Sequence, residues 1–277
     1  ENVRKQLQQN ANGLNGTKKR LQRSKKSKKK VSVQKQLVAE KEQEVTSTYK
    51  IEPVDPYQGR KVIFEPNKGP QTDFLAASER EVLYGGSAGG GKSYAMLADP
   101  LRFISHPQFS GLLVRHTTEE LRELVWKSQE LYPKVIPNIK WSERKMQWIA
   151  PNGGRIWFSY LDREEDVLRY QGLAFSWIGF DELTQWATPF AWNYLRSRLR
   201  TAAPDLPIYM RATTNPGGAG HQWVKKMFID PAPYNTCFDA TDIDTGNKLV
   251  YPRGHSKEGQ TLFKRRFIPA RLLDNPY

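Results

Sequence analysis

The sequence predicts an α/β fold in which a mostly parallel central sheet is flanked by helices. Three apolar runs typical of buried strands occupy residues 111–116, 175–180 and 208–213, and segments with helix-capping residues separate them. A shorter apolar run at 81–84 leads into a loop rich in glycine, after which the composition becomes helical. Strands that alternate with helices in this way indicate parallel pairing.

The glycine-rich loop carries the first chemical signal. Residues 86–93 match the pattern G-x-x-x-x-G-K-[ST] between a strand-like run and a helix start. In such loops, backbone N–H groups point at phosphate oxygens, the lysine reaches the β- and γ-phosphates, and the serine holds Mg²⁺. A flexible Gly/Ser turn is the alternative, and the flanking elements disfavour it. The predicted nucleotide-binding residues are Gly86, Ser87, Ala88, Gly89, Gly90, Gly91, Lys92 and Ser93.

Two carboxylates, Asp181 and Glu182, end the apolar run at 175–180. Because buried charge is unfavourable, we expect them at the carboxyl end of the strand, where ligands bind in open α/β sheets. Beside a phosphate loop, Asp181 would hold Mg²⁺ through its water shell and Glu182 would polarise the attacking water. An apolar run followed by Asp-Glu is common by itself. Its place after the loop, with one strand between, indicates a P-loop NTPase of the ASCE type.

Two polar residues are candidates for further contacts with a nucleotide. Asn215 follows the apolar run at 208–213, and its amide can hydrogen-bond a phosphate oxygen or the attacking water; a plain Asn-Pro-Gly turn is the alternative. Gln71 precedes the phosphate loop and offers both a donor and an acceptor to an adenine edge. The alternative for Gln71 is an exposed polar residue at a helix start, with Thr72 or Asp73 as the helix cap.

Helices and one hairpin are also predicted outside these motifs. Thr117 or Thr118 is expected to cap a helix with acidic residues in its first turn. A β-hairpin insertion is expected over 148–160 around an Asn-Gly-Gly turn, with its aromatic side chains in the core. Residues 230–277 have no pattern that assigns them to a helix or a strand. Further helices are expected over 162–170 and 189–200 and from His221 onward.

The composition argues against several kinds of site. Cys237 is the single cysteine, so neither an intrachain disulfide nor a cysteine-based zinc cluster is expected. No run of about 18 apolar residues that could span a membrane occurs in the sequence. The four histidines lack metal-binding spacing. Asp239, Asp242 and Asp244 could suggest a metal cluster, but their Asn, Thr and Gly neighbours are more typical of a solvated loop.

Most of the net charge of +14 lies near the N-terminus. Residues 1–44 contain thirteen Lys and Arg against four Glu, so 13 − 4 gives a surplus of nine positive charges. This composition predicts a disordered basic tail over 1–48, followed by a P-loop ATPase domain over 49–277. Such a tail is attracted to polyanions such as nucleic acid, or it is only a solvated extension, and the sequence favours the two equally.

Longer stretches of the sequence resemble the ATPase portion of the large terminase subunit of tailed bacteriophages. They include Ile-Gly-Phe-Asp-Glu-Leu-Thr-Gln around Asp181 and Glu182, and Ala-Thr-Thr-Asn-Pro-Gly-Gly around Asn215. Together with the phosphate loop, the similar stretches extend over residues 60–276. The similar stretches are 114–117, 151–154, 166–172, 178–185, 196–200 and 212–218.

The resemblance implies an ATP-driven motor that moves double-stranded viral DNA through a portal into a procapsid, with ATP as the nucleotide and Mg²⁺ as the cofactor. It implies the portal protein and the terminase small subunit as partners and a homo-oligomeric ring on the portal. It also implies no membrane association, and a location in the host cytoplasm and transiently at the portal vertex of the procapsid.

The resemblance also implies roles for single residues. Lys92 and Ser93 become the phosphate and Mg²⁺ ligands, Asp181 supports the metal, and Glu182 is the catalytic carboxylate. Residues 213–215 correspond to the motif that couples hydrolysis to domain movement. Gln71 matches the position that contacts adenine.

The chain departs from the pattern of this family in two ways. Many relatives carry Arg-Gly ahead of the Asp-Glu strand and use an arginine finger from a neighbouring subunit, whereas this chain has Gln171-Gly172 there. Arg169 and Arg115 are therefore the candidate fingers. The family normally continues into a ribonuclease H-like domain at about the point where this sequence stops, so nuclease activity is not expected from it.

Two other functions are compatible with parts of the sequence. Another nucleic-acid translocase, such as a helicase-like P-loop ATPase, explains the phosphate loop and the basic tail but not the terminase-like stretch over 166–185. A non-catalytic nucleic-acid-binding or assembly protein could bind nucleotide as a structural ligand. The presence of Lys92, Asp181 and Glu182 argues against that alternative.

Deletion of residues 1–45 tests whether the basic tail binds nucleic acid. Neutralisation of phosphates by Lys and Arg releases counterions, so the deletion should flatten the dependence of DNA affinity on salt. The measurement is the slope of log K against log salt concentration for duplex DNA, with and without the deletion. An unchanged slope would mean that these lysines are only a solvated extension.

Overall fold

The computed structural model describes residues 61–87, 89–271 and 274. The predicted tail over 1–48 lies outside the described residues, as do residues 49–60 of the predicted domain. Ala88, one of the predicted phosphate-binding residues, also lies outside them. A compact unit begins at Val62.

One sheet contains all nine strands found in the described residues, and it confirms the predicted mostly parallel α/β fold. The strands are β1 (Glu81–Gly86), β2 (Ser110–Arg115), β3 (Lys140–Ser142), β4 (Gln147–Ile149), β5 (Arg155–Tyr160), β6 (Trp177–Phe180), β7 (Tyr209–Thr214), β8 (Cys237–Asp239) and β9 (Lys264–Ala270). Their order is β3-β4-β5-β2-β6-β7-β1-β9-β8. Pairing is parallel from β5 to β9 across this order and antiparallel for β3–β4, β4–β5 and β8–β9.

The predicted helices are present, with some changes of bounds and type. The α-helices are α1 (Pro70–Ala76), α2 (Lys92–Ala98), α3 (Thr118–Val135), α4 (Phe190–Arg196) and α5 (His221–Val224). The predicted helix over 162–170 is a 3₁₀ helix over Glu164–Tyr170, with shorter 3₁₀ segments over Asp99–Arg102 and Leu183–Gln185 and a π-helical turn over Lys225–Ile229. The predicted helix over 189–200 ends early, at Arg196, because the chain then turns towards the start of β6.

Capping explains two of these helix starts. Thr117, one of the two predicted caps, begins α3 and forms a reciprocal capping box with Glu120. The prediction that Thr72 or Asp73 caps the first helix is wrong. Gly69 holds the cap position with φ 92°, and Pro70 follows at the first helical position, where its fixed φ favours a helix start.

Side chains that alternate along the strands bury apolar surface on both faces of the sheet. Val82 and Tyr84 of β1 pack into one buried cluster, while Leu83 between them packs into another. The 148–160 hairpin is confirmed as β4 and β5, and its Trp148 and Phe158 are buried, as predicted for its aromatic side chains. Helical segments therefore cover a sheet that is apolar on both sides, as parallel sheets require.

The order of the parallel strands positions the candidate site. Because β1, β2, β6 and β7 run in the same direction, their carboxyl ends meet at one edge of the sheet. Strand β7 lies between β1, which leads into the phosphate loop, and β6, which ends at Asp181 and Glu182. This inserted strand is the arrangement expected for the ASCE type.

The sequence did not reveal β9, which pairs in parallel with β1 beside the phosphate loop. Its sequence, Lys-Arg-Arg-Phe-Ile-Pro-Ala, has basic residues and a proline that hide the apolar pattern. Arg265 is nevertheless fully buried, because its Nε lies 2.7 Å from the buried Glu81 carboxylate and its Nη1 donates to the Thr241 carbonyl at 2.7 Å. A buried ion pair thus joins β9 to β1.

Among the described residues, no helix combines the length and the apolar character needed to cross a bilayer.

Replacement of Arg265 tests the buried ion pair. Arg265→Met leaves Glu81 with only Arg196, at 3.4 Å, and we expect the free energy of unfolding to fall by about 3–5 kcal/mol because a buried carboxylate loses its main partner. Arg266→Met, which removes a partly exposed neighbour on the same strand, should cost much less. The measurement is urea unfolding followed by circular dichroism.

The double variant Glu81→Gln/Arg265→Met provides the control for this stability prediction. It removes the unpaired charge together with its partner, so it should be more stable than Arg265→Met alone. Equal losses for Arg265→Met and Arg266→Met would contradict the structural role given to the pair.

Candidate active site

The phosphate loop leaves no room for side chains at two of its glycines. Gly86 has φ 137°, and a Cβ there would lie 1.8 Å from the Ala270 carbonyl oxygen. Gly91 has φ 69°, and a Cβ there would lie 2.5 Å from the Gln71 amide nitrogen. The loop therefore requires glycine both for its left-handed backbone and for close packing against its neighbours.

Three hydrogen bonds hold the loop from behind. The buried Tyr84 hydroxyl donates to the Gly90 carbonyl at 2.7 Å. Gln71 Nε2 donates to the Gly91 carbonyl at 2.8 Å, and Ser87 N donates to the Ala270 carbonyl of β9 at 3.0 Å. The loop conformation is thus set by β1, α1 and β9 together.

The structure places Gln71 beside the loop. The side chain is buried rather than exposed, so the alternative of an exposed polar residue is wrong. Its Oε1 accepts from Asn67 N at 2.6 Å while its Nε2 bonds to Gly91, so both ends of the amide have partners within the chain. An adenine contact would have to be made by replacing or sharing one of these bonds.

Lys92 opens α2 and turns its amine back to the loop. Its Nζ donates to the Ser87 carbonyl at 2.6 Å and to the Gly86 carbonyl at 3.5 Å. Burial lowers the pKa of the Lys92 ammonium, and the nearby carboxylates of Glu182 and Asp181 oppose that shift. Ser93 follows in the first turn of α2. The Lys92 amine therefore lies against the loop and close enough to Asp181 and Glu182 to interact with their charges.

Asp181 is buried at the tip of β6 and is bound from the two neighbouring strands. One carboxylate oxygen accepts from the Thr213 hydroxyl at the end of β7, and the other accepts from Arg115 at the end of β2. Arg115 also lies 3.5 Å from the Glu120 carboxylate of α3. Burial alone would disfavour the Asp181 charge, and these two charge-stabilising donors compensate for it.

Glu182 has an unusual backbone conformation for a residue with a side chain. Its φ and ψ are 60° and 58°, in the left-handed region, which costs about 1 kcal/mol or more for a non-glycine residue. The main chain N donates to the Thr213 hydroxyl at 3.1 Å, which helps to hold this turn. The turn directs the Glu182 carboxylate away from the strand direction and towards the tip of β7.

Asn215 binds the Glu182 carboxylate at two points. The Asn215 backbone N donates to one oxygen at 2.9 Å, and Nδ2 donates to the other at 2.5 Å. Burial, followed by repulsion from Asp181, raises the pKa of Glu182, while the hydrogen bond from the Asn215 backbone N and the charges of Arg115 and Lys92 oppose this shift. The plain-turn alternative for Asn215 therefore does not describe it, since its side chain reaches an acidic residue on another strand.

Other polar contacts in this site were not foreseen from the sequence. Thr184 and Thr214 share a hydrogen bond between their hydroxyls at 2.8 Å, which joins the segment after β6 to the tip of β7. Gln185 donates to Glu120 at 2.7 Å and so connects the same segment to α3. The sequence could have identified Thr213 as a polar residue near the end of β7. It could not have identified Asp181 as its partner, because that contact depends on β7 lying next to β6.

Similarity to known proteins identifies the family. The sequence family described as terminase large subunit, T4likevirus-type, N-terminal, matches residues 83–245, which is more than half of the 277 residues. The chain belongs to this family. It is accordingly an ATPase of the motor that packages viral DNA, as the resemblance implied.

Solved structures of phage packaging ATPases are similar to this terminase chain. The ATPase domain of the Thermus phage P74-26 large terminase is 11% identical, with a TM-score of 0.47 over 75% of this chain and 81% of that one. The large terminase of a thermophilic bacteriophage is 16% identical, with a TM-score of 0.46 over 59% and 43%. The N-terminal domain of the bacteriophage phi29 packaging ATPase is 18% identical, with a TM-score of 0.39 over 56% and 79%. None of the curated proteins matches this chain.

The two candidate arginine fingers of this terminase have different environments. Arg115 contacts Asp181 inside the site. Arg169 is exposed, donates to the carbonyls of Asp166 at 2.9 Å and Tyr160 at 3.2 Å, and makes no hydrogen bond or ion pair to the phosphate loop within the described residues. Of these two arginines, the structure therefore places only Arg115 against Asp181, whereas Arg169 pairs with Asp166 at 3.4 Å.

The aspartates over 239–244 have local roles in the terminase structure. Asp242 accepts from the backbone N–H groups of Asp244 and Thr245 and so closes a turn. Asp239 pairs with Lys248 at 3.0 Å. Among the described residues, no group of three or more His, Cys, Asp or Glu side chains is arranged to hold a metal ion.

Asn215→Ala tests the two-point contact with Glu182. Loss of the Nδ2 donor should raise the pKa of Glu182 further, because a hydrogen bond that stabilises the charged form is lost. We expect Glu182 to activate water in its ionised form. ATP turnover falls as pH falls through that pKa, so its acidic limb should lie above the usual range of glutamate and shift to still higher pH in the variant. We also expect kcat to fall roughly 10- to 100-fold because the carboxylate loses its orientation.

The measurement is kcat for ATP hydrolysis between about pH 5 and 9. Asn152→Ala, which changes an exposed asparagine in the turn of the hairpin, is the matched control and should behave like the wild type. An acidic limb that does not move in Asn215→Ala would contradict the proposed influence of Asn215 on Glu182.

Proposed function

We propose that this terminase chain hydrolyses ATP at the carboxyl edge of β1, β6 and β7, with Glu182 as the catalytic carboxylate. The observation that carries the proposal is the two-point hydrogen bond between Glu182 and Asn215, which fixes a carboxylate with a raised pKa between two strand tips. A carboxylate held in this way can accept a hydrogen bond from water and align it for attack on the γ-phosphate.

Backbone N–H groups from Gly86 to Ser93 receive the phosphates. The left-handed glycines and the N-terminus of α2 suit a chain of anionic oxygens, and a side chain at Gly86 or Gly91 would collide with the wall behind the loop. Lys92 now donates to loop carbonyls, and it exchanges these acceptors for β- and γ-phosphate oxygens when ATP binds. Gln71 is proposed to reach the adenine edge from its position against Gly91.

Ser93 and Asp181 are the residues that would hold Mg²⁺. A hydroxyl and a carboxylate are hard oxygen donors, and Mg²⁺ in nucleotide sites takes few protein ligands because phosphates and water complete its coordination. Both Asp181 oxygens already accept from Thr213 and Arg115, which favours contact through the water shell of the ion. When bound, the metal neutralises charge on the β- and γ-phosphate oxygens.

Asn215 is proposed to sense the state of the γ-phosphate. Its Oδ1 is buried and has no hydrogen-bond partner among the described residues, so it can accept from the attacking water while Nδ2 holds Glu182. Residues 213–215 also contact Asp181 and Thr184. Loss of the γ-phosphate would be transmitted along these contacts to β7, which is the proposed coupling to movement of DNA.

Two arginines are proposed to complete the site in different ways. Arg115 lies within reach of Asp181 and Glu120 in the same chain, so its guanidinium is positioned to stabilise negative charge on a bound phosphate from within the same subunit. Arg169 is exposed on the surface, which supports its presentation to the ATP of a neighbouring copy. A homo-oligomeric ring would bring these two contributions together.

The partners of this motor follow from its family. We propose that it moves double-stranded DNA through the portal protein into a procapsid, and that it works with the terminase small subunit in the host cytoplasm and at the portal vertex. The basic segment over 1–48, ahead of the ATPase domain over 49–277, is proposed to attract the DNA backbone.

Variants of Lys92 and Glu182 test the assigned roles. Glu182→Gln should bind ATP with near wild-type affinity but lose turnover by about 10²-fold or more, because the amide cannot activate water. Lys92→Ala should weaken ATP binding by roughly 100-fold, because the phosphates lose their main cation. The measurements are nucleotide binding by fluorescence and phosphate release, each with and without double-stranded DNA and the portal.

Ser87→Ala is the matched control in the same loop, since it retains the backbone groups that contact Lys92 and Ala270. It should change turnover much less than Glu182→Gln does. Full activity of Glu182→Gln would overturn the role of this carboxylate, and unchanged ATP affinity in Lys92→Ala would overturn the proposed binding site.

A further inference from the structure

A cavity of about 780 Å³ lies beside β5 and is distinct from the ATP site. One wall is a stripe of α3 that includes Leu121, Arg122, Val125 and Trp126, which helical geometry places on one face. The opposite wall comes from the turn between β3 and β4, the end of β5 and the 3₁₀ helix over Glu164–Tyr170. Cavities of this volume are large enough to enclose several side chains of a ligand.

The cavity combines an aliphatic lining with a basic rim. Leu121, Val125, Met146 and Leu173 contribute apolar surface. Four positive side chains and one negative side chain also line it, a surplus of 4 − 1, or three positive charges. These charged residues are Arg122, Arg144, Lys145, Arg169 and Glu143.

Most of the basic side chains form no ion pair among the residues that the structure describes. Arg122, Arg144 and Lys145 are exposed and form no ion pair with any described residue. Glu143, the single acid, accepts a hydrogen bond from Trp141 instead. The rim therefore presents positive charge that an acidic ligand could neutralise.

The cavity also contains an exposed aromatic ring and two aromatic side chains whose polar atoms make no hydrogen bond with the described residues. Trp126 is 67% exposed on the rim, an unusual position for a side chain of this size. The Tyr170 hydroxyl and the Trp157 Nε1 are buried and have no hydrogen-bond partner among the described residues.

The cavity follows an open edge of β5. Antiparallel pairing with β4 ends at Trp157, whereas pairing with β2 continues to Tyr160 on the other side. Beyond Trp157, the described residues add only single contacts on the β4 side. Phe158 N donates to the Met146 carbonyl at 2.8 Å, and Arg169 donates to the Tyr160 carbonyl. An extended segment could continue the ladder here.

We propose that this cavity is the docking site for an extended, acidic segment of a partner protein that carries an aliphatic anchor. The basic rim selects acidic side chains, the aliphatic wall takes the anchor, and the edge of β5 suits an extended backbone. The composition of residues 1–44 does not match this occupant, because their surplus of nine positive charges would be repelled by the basic rim. Single-stranded nucleic acid is the competing ligand, because Trp126 can stack on a base; the aliphatic wall and the open edge of β5 favour a peptide.

Labelled peptides of about 12 residues test the proposal with the full 277-residue chain. The probe is a fluorescein-labelled glutamate-rich peptide with two central leucines, and it is compared with a peptide that has serines in place of the leucines and with an oligothymidylate. The leucine peptide should bind about tenfold more tightly than the serine peptide. Affinities are measured by fluorescence anisotropy near physiological salt.

Two variants assign the binding to the cavity. Arg144→Glu/Lys145→Glu and Trp126→Ala should each weaken binding of the leucine peptide about tenfold, since they remove the charge and the aromatic wall. Arg253→Glu/Lys257→Glu reverses the same charge on an exposed loop and should have little effect. All changed side chains are exposed, and the thermal melting temperatures should stay close to that of the wild type.

Three results would overturn the proposal. The first is equal affinity for the leucine and serine peptides, which would mean general attraction to positive charge. The second is unchanged affinity for the leucine peptide in both cavity variants. The third is a loss of oligothymidylate binding alone in these variants, which would assign the cavity to nucleic acid.

Discussion

The rest of the site depends on the hydrogen bonds made by the buried carboxylate of Asp181. It ends β6 and accepts hydrogen bonds from Thr213 of β7 and Arg115 of β2, so one anion joins the tips of three parallel strands. A buried charge needs such partners, and each partner is in turn held by a second element. Thr213 also accepts from the main chain N of Glu182, which stabilises the left-handed turn that orients the carboxylate proposed as catalytic. The positions of these side chains are therefore a consequence of strand pairing across the sheet.

Many residues of this site could be predicted from the sequence because they directly follow apolar runs. The phosphate loop, Asp181-Glu182 and Asn215 each follow a strand, and parallel pairing makes their meeting at one edge predictable. Local patterns cannot show which strands are neighbours. The bond between Asn215 and Glu182 depends on β7 lying next to β6, and the sequence suggested only a sensor or a turn.

The errors of prediction have physical causes as well. Strand β9 was not predicted because an arginine such as Arg265 is expected to face solvent. In the fold, Arg265 is buried and neutralises the buried Glu81. Gly69 and Pro70 start α1, although Thr72 and Asp73 are better capping residues by type, because the glycine adopts a backbone conformation that they disfavour. In both places a tertiary partner or a backbone dihedral outweighs the preference of a single residue.

The hydrogen bond from Ser87 to Ala270 has a consequence for the energetics of the whole domain. It connects the phosphate loop to β9, a strand far along the chain. Gly86 packs directly against Ala270 of β9, so the loop has this packing only when β9 is in place. A ligand that binds the loop only in this conformation would also stabilise the folded form of β9. In the proposed function, nucleotide on this loop would therefore act as a clamp on a distant part of the polypeptide, and local opening of β9 would weaken its binding.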